Sequence, residues 1–401
     1  MTPLLLLLLL ASAGVAQNDG PFVGLGGDNR LVIQPGSDKQ VLIDGTDFRE
    51  LVTTVESLQL TLALLKTRLC ATVAETLPIT GIPRVNNGSA WWIGGVLANN
   101  GKIYGIPSGA TAVLIVDPVT NTMDVTSIVG LQGDLKWSGG VLAGNGKIYG
   151  MPFHATSVLI IDPATNTTDV STMTNLPGTG KWYGGVLAGN GKIYGIPFSS
   201  NSVLIIDPVG GTADATSMVI AEPAGSLRWS FGVLAGNGKI YGIPRFATAV
   251  LIIDPLANTA DTTTMTVANP GNLWSGGVLA PNGKIYGIPL NATSVLVVDP
   301  ATNTADTTSI TLAGLSGGQG YQWIGGVLAG DGKIYGTPYF SPEVLIIDPV
   351  TNTTDTTSTR TSFQSGGRKW VGGVLAGNGK IYAIPFVSDS VLVIQRDCEA
   401  L

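Results

Sequence analysis

From Trp92 onward, short apolar runs alternate with clusters of Gly, Pro, Asn and Asp, and the pattern repeats every 45 to 49 residues. One unit shows its logic. Trp137-Ser-Gly-Gly-Val-Leu-Ala143 is an extended run that ends at Gly144. Asn145-Gly146 then predicts a two-residue type I′ turn, and Lys147-Ile-Tyr-Gly-Met-Pro152 returns as a second strand. Val158-Leu-Ile-Ile161 is a continuous apolar run, the composition of a third strand covered on both faces. Asp162-Pro-Ala-Thr-Asn166 is turn chemistry, and Thr167 to Thr172 reads as a polar outer strand. Seven such units begin at Trp92, Trp137, Trp182, Trp229, Trp274, Trp323 and Trp370. A four-stranded antiparallel unit of this length, repeated seven times, predicts an all-β fold, a seven-bladed β-propeller.

Six units repeat a Gly-Gly pair two residues after the tryptophan, as at Gly139-Gly140, whereas the fourth has Phe231-Gly232. The pair suits first strands that converge on a crowded axis. Counting strands shows that the last unit ends at Val391-Leu-Val-Ile394 without a fourth. Ala71-Thr-Val-Ala-Glu-Thr-Leu-Pro78 matches the fourth-strand pattern, so residues 71–78 are expected to complete the last blade and close residues 70–401 into a ring. Cys70 and Cys398 flank the two strands so joined. A Cys70–Cys398 disulfide is the leading reading, with a bridge between chains as the alternative. It would span more than 300 residues, worth on the order of 5 kcal/mol in chain-entropy terms.

Before the repeats the period changes. Residues 17–45 are Gly-rich, and Leu31-Val-Ile-Gln34 with Gln40-Val-Leu-Ile-Asp44, on either side of Pro35-Gly36, read as a short hairpin. Over residues 46–69, Asp47 and Glu50 form a helix-starting pair, and Leu51, Val55, Leu58, Leu62, Leu65 and Leu69 keep 4-3-4-3-4 spacing. That predicts an amphipathic helix whose seam either joins copies of the chain as a coiled coil over residues 47–69 or docks on its own propeller. Residues 4–10 are seven leucines followed by small residues, which reads as a signal peptide over 1–16 and places the protein outside the cell. No later run is long enough for a transmembrane anchor. Sequons at Asn87, Asn166, Asn291 and Asn352 are then candidate glycosylation sites, though Asn and Thr are also ordinary turn residues.

Leu142-Ala-Gly-Asn-Gly-Lys-Ile-Tyr149 with Ser157-Val-Leu-Ile-Ile-Asp-Pro-Ala-Thr-Asn166 resembles the Kelch repeat, and the resemblance extends over all seven units. Two positions depart from that family: Gly-Ile-Pro replaces its Gly-Gly at the end of strand two, and Thr or Ala replaces its Trp after the Thr-Asn turn, as at Thr167 and Ala305. The resemblance implies a propeller that serves as a protein-binding module or, less often, as an oxidase. The copper set of such oxidases needs two histidines, and this chain has one.

Charged residues are 12% of the chain and the net charge is −6, so no basic stripe offers a nucleic acid its counter-charge. In a blade, the one–two and three–four turns share one face of the disc. That face is nearly uniform from unit to unit. Its aspartates, such as Asp117 and Asp162, read as turn caps before Ca²⁺ ligands, and its lysines, such as Lys102 and Lys147, as edge protection. The two–three loops and the crossovers share the other face, and they vary. There the candidate ligand residues are Phe153, His154, Phe198, Arg245, Phe246, Tyr339, Phe340 and Phe386, together with the seven tryptophans at the strand-one starts, whose alternative role is interblade packing. No catalytic set, metal site or cofactor emerges. The expected function is a secreted binding module for a glycan or an extracellular protein. A matrix-assembly protein is the alternative, and a propeller-type hydrolase or lyase comes third.

Peptide mapping without reductant, together with sedimentation of the intact chain, checks two of these expectations. The expected results are a Cys70–Cys398 link within one chain and a mass above that of a single chain. A Cys70–Cys70 link, or a monomeric mass, removes the corresponding expectation.

Overall fold

The computed structural model describes residues 71–81, 91–220, 227–267, 273–312, 320–358 and 367–397, and a few residues before them (23–25, 31–33, 42–43, 46–47, 54, 57 and 58). The chain divides into two units, residues Ala71–Asp397 and the two ends (Met1–Cys70 with Cys398–Leu401).

In the N-terminal unit Val23–Leu25 pairs with Leu31–Ile33, and Leu42–Ile43 with Thr46–Asp47. The expected hairpin between residues 31–34 and 40–44 is therefore replaced by two shorter ones. Asp44-Gly45, a stronger two-residue turn signal than Pro35-Gly36, separates the second pair. Thr54, Ser57 and Leu58 are helical, and Leu58 on the predicted seam is exposed. The rest of the seam, the signal segment, Asn87 and both cysteines lie outside the described residues.

The larger unit is a seven-bladed propeller of four-stranded antiparallel sheets. Blade two runs Trp137–Leu142, Ile148–Pro152, Leu159–Asp162 and Thr167–Asp169, in that spatial order. The last blade takes Trp370–Leu375, Ile381–Pro385 and Ser390–Asp397 from the C-terminal side and Ala71–Pro78 as its outer strand. That closing ladder runs in unbroken register from Ser390 opposite Pro78 to Asp397 opposite Ala71.

The axis sets the design of strand one. Between each opening tryptophan and the second glycine the register slips by a β-bulge, as between Trp137 and Gly140. The first glycine of the pair sits in the bulge with positive φ, 72° at Gly139 and 86° at Gly276. A Cβ on Gly276 would stand 2.7 Å from the Cα of Gly325 in the next blade, and one on Gly372 3.4 Å from Gly94, which completes the circle. The second glycine is a socket. A Cβ on Gly140 would fall 2.6 Å from Cδ1 of Ile106, and one on Gly95 2.8 Å from Cδ1 of Ile384. The residue before the strand-two proline is thus the knob that a blade drives into the next, an Ile in five blades and Met151 in blade two, whereas Thr337 of blade six leaves Val327 nearest to its socket at Gly373.

The core lies between blades. Val141, Tyr149, Met151 and Ile160 of blade two meet Trp182, Ile193, Leu204 and Ile206 of blade three, and the arrangement repeats around the ring. Each strand-one indole is at most 4% exposed, and its Nε1–H donates to a backbone carbonyl 20 residues on, as Trp137 does to Ser157 at 2.8 Å. An aromatic side chain so placed is worth about 3–5 kcal/mol.

The uniform face is held by its own contacts. The one–two turn is a three-residue loop, with Ala143 and Lys147 joined through their backbones, Gly146 donating to Ala143, and only Gly146 at positive φ. It is not the predicted type I′ turn, because the Asn145 carboxamide accepts from the Lys147 N–H and donates to Tyr149 Oη, 2.9 Å away. Tyr104 Oη donates to Asn166 Oδ1 of the next blade, and Tyr382 Oη to Asn121 Oδ1 across the closure at 3.0 Å. The caps behave as the sequence predicts: Asp117 accepts from the N–H groups of Val119 and Thr120. The lysines do more than protect an edge, since each of the first six pairs with its own blade's aspartate, as Lys147 with Asp162 at 3.4 Å. Asn166 and Asn352 hold left-handed turn positions, φ 53° and 54°. The polar outer strand is shorter than expected, because Asp169 ends it by accepting from the backbones and hydroxyls of Ser171 and Thr172. Asp124, Asp214, Asp261, Asp306 and Asp355 repeat that cap, which the sequence pattern did not reveal.

This packing can be tested at the axis and at the caps. Gly276 and Gly283 share a left-handed backbone, but a Cβ on Gly283 meets nothing within 4 Å. Gly283→Ala should cost about 1 kcal/mol and Gly276→Ala on the order of 3 kcal/mol or more in urea denaturation; equal costs would refute the axial constraint. The second test concerns acid. Hydroxyl and backbone hydrogen bonds hold the Asp169, Asp214 and Asp306 carboxyls down to about 2, below the ordinary 3.8. These lowered acids contribute stability that is complete above the unfolded value and is lost as pH falls through the folded one. The melting temperature should therefore drop most steeply between about pH 4 and pH 2. A flat profile there would count against the caps.

Candidate functional site

Strand direction brings the two–three loops and the crossovers to one face. There six of the seven loops are stitched blade to blade by the residue before the tryptophan. Lys181 donates its N–H to the carbonyl of Phe153 at 3.0 Å, and Lys369 does the same to Tyr339. Three of these residues are buried cations. Lys136 Nζ reaches the carbonyls of Ser108, Ala110 and Gly133, Lys181 Nζ those of Phe153, Ala155 and Gly178, and the Arg228 guanidinium that of Ser200. Burial lowers Lys136 and Lys181 to about 8. Their job is to fix the loops.

Above the axis the side chains gather into one apolar cluster. It takes the residue after the tryptophan in four blades (Ile93, Tyr183, Ile324 and Val371) and several of the first loop residues, among them Phe198, Leu290 and Tyr339. Partly exposed Phe153, Phe231, Tyr321, Phe340 and Phe386 pack against it. The rings form two groups. In the first, Tyr183 stacks on Phe198 at 5.2 Å and meets Phe231 edge-on at 5.1 Å, while His154 lies flat on Phe153 at 4.9 Å. In the second, Tyr339 meets Phe340 at 5.0 Å and Phe386 at 5.4 Å, both edge-on. Arg245 joins them. Its guanidinium carbon lies 5.4 Å from the ring centre of Phe198 in blade three and 5.4 Å from that of Tyr321, which leads into blade six.

Below this mouth runs the axial channel, a cavity of about 180 Å³ lined by the seven strand-one pairs. Phe231 is the one side chain in that ring that is not glycine, and it holds φ at +58°. Its Cδ1 lies 2.6 Å from where a Cβ on Gly184 would be, so its ring occupies space above its neighbours' glycines. Phe231 is the floor of the mouth. Burial raises the phenols of Tyr183 and Tyr339 above their ordinary value, and the Arg245 charge opposes that rise at both. Burial and the charge of Lys181 lower His154.

No family model matches the chain, and no curated protein matches it. The Kelch resemblance is therefore not confirmed. Solved structures match over most of the chain at low identity. Virginiamycin B lyase from Staphylococcus aureus aligns with a TM-score of 0.65 at 12% identity, over 81% of this chain and 99% of that one. A streptogramin B lyase structure gives 0.63 at 12% identity, over 82% and 98%. The extracellular domain of a hybrid two-component system from B. thetaiotaomicron gives 0.58 at 10% identity, over 80% of this chain and 42% of that one. These likenesses show the propeller fold.

The predicted residues thus divide three ways. Phe153, His154, Phe198, Arg245, Tyr339, Phe340 and Phe386 surround the mouth. Phe246 is exposed (42%) and outside the cluster, and the tryptophans, buried between blades, form no open ring of indoles. Tyr183, Phe231 and Tyr321 belong to the mouth although the loop positions alone do not single them out. Comparing the repeats position by position around each tryptophan finds them, since each is a large ring where most blades carry a smaller residue. Among the described residues, Ser108 Oγ, Asn291 Oδ1, Arg245 Nε and Lys369 Nζ of this face are buried without a hydrogen-bond partner in the chain.

Proposed function

We propose that the protein is an extracellular binding module whose ligand seats in the aromatic mouth. The observation that carries this reading is that blade-to-blade uniformity breaks on one face, and breaks there into clustered, partly exposed rings around Arg245. Aromatic surface beside a few placed polar groups is the composition of a recognition site. The fold likeness to extracellular domains agrees with the signal-like leader. The likeness to lyases is one of fold, and fold alone assigns no chemistry. The ligand in this reading is a glycan or an extracellular protein. The seam over residues 47–69 joins copies of the chain, which multiplies weak mouths into avid binding without new contacts.

Arrays of glycans and of extracellular proteins test the reading with three forms of the full chain. The wild type should give a defined set of ligands. Phe198→Ser with Phe386→Ser should reduce those signals at least tenfold, while Lys192→Ala on the uniform face leaves them within twofold. Signals that survive the double change would move the site elsewhere.

A further inference from the structure

The geometry points to Arg245 as the receptor for a carboxylate carried on a sugar ring, an inference that rests on the mouth being the binding site.

Among the described residues Arg245 makes no ion pair, and its Nε is buried without a hydrogen-bond partner. Yet the guanidinium is not on an open surface. The rings of Phe198 and Tyr321 screen it on two sides at 5.4 Å each. A guanidinium so screened is poorly hydrated. A half-buried cation with an idle donor is costly to hold, and the cost is offset when an anion arrives. The planar fork of arginine matches a carboxylate through two parallel hydrogen bonds.

The surroundings choose what carries the carboxylate. The guanidinium lies against the rings of Phe198 and Tyr321, and the partly exposed rings of Phe153, Phe340 and Phe386 pack on the same cluster. Flat apolar faces beside the partly exposed Tyr321 suit a pyranose, which offers a C–H face to stack and hydroxyls to bond. Phe231 closes the mouth from below. A floor at Phe231 favours a terminal or side-branch sugar over an extended acidic peptide.

The test uses the full chain on an array in which each carboxylated saccharide is paired with its methyl ester, beside neutral saccharides and polyglutamate. Binding constants for the strongest acid–ester pair are then measured at two salt concentrations. The acid should bind at least tenfold more tightly than its ester, and added salt should narrow the gap. Arg245→Ala should erase the acid–ester difference while ring-dependent binding of neutral sugars remains. Arg245→Lys should keep part of the difference, since charge survives but the fork does not. Thermal unfolding confirms that each variant is folded, and the wild-type comparison of acid with ester stands without any variant. Equal binding of acid and ester, no acidic saccharide bound, or preference for polyglutamate each overturns the inference. If neutral ligands still lose binding on changing Phe198 and Phe386, only the carboxylate assignment has failed; if those changes leave binding intact, the mouth itself is wrong.

Discussion

Backbone meeting backbone at the axis is the constraint on which this molecule is built. Seven first strands reach the centre together, and the separation left there is set by glycine Cα atoms: a methyl added at Gly276 would stand only 2.7 Å from its neighbour. The same glycines turn the chain through a left-handed bulge, so size and conformation select the same residue. Once strand one is fixed, the next layer follows. The second glycine must be a socket, strand two must supply the knob, and the tryptophan must fill the gap between adjacent sheets. Identity of sequence from blade to blade is the consequence of one geometry imposed seven times. The closing ladder extends that logic, since a ring held at its centre by mutual contact tolerates no missing outer strand, and residues 71–78 supply it.

The two faces of the disc are unequal for the same reason. Turns between strands one and two lie beside the axis and use their polar groups internally: asparagine on tyrosine, tyrosine on the next blade, lysine on aspartate. The individual ion pairs are exposed and contribute little each. Their effect is to leave that face with few idle donors or acceptors. The loops and crossovers opposite are fastened through backbone hydrogen bonds and buried cations, which constrain few side chains. Sequence there is free to differ, and it does.

Most of what repeats is legible in the sequence, although the repeated caps at Asp124 and Asp169 are not. Blade number, strand order and the aspartates of the three–four turns are each stated several times over in the chain, and the strand count then assigns residues 71–78 to the last blade. The Asn145-Gly146 turn departs from expectation, because a type I′ turn needs both residues at positive φ, whereas the asparagine side chain is engaged by Lys147 and Tyr149, as Asp331 is by Lys333 and Tyr335 in blade six. The mouth was half legible. Variation pointed to the face, and the loop aromatics were found. The indoles were drawn into the candidate site because they begin on that face, yet their rings turn into the interblade core. Arg245 was visible as a residue but not as a centre, because its neighbours come from blades three and six, and nothing local in sequence records a contact made across an axis.

Phe231 shows how function enters such a design. A phenylalanine at φ +58° is strained by about 1–3 kcal/mol, and glycine would remove the strain, as six sister blades demonstrate. Packing alone does not account for it, since the other blades pack without it. The ring covers the channel and supports Tyr183, which in turn stacks on Phe198 beside Arg245. Strain at the axis, a floor for the mouth and an idle cation above it form one connected arrangement. In the proposed reading, these are the parts that a ligand with an apolar face and a negative charge engages together. A molecule that is otherwise sevenfold repetitive has kept its costly exceptions in one place.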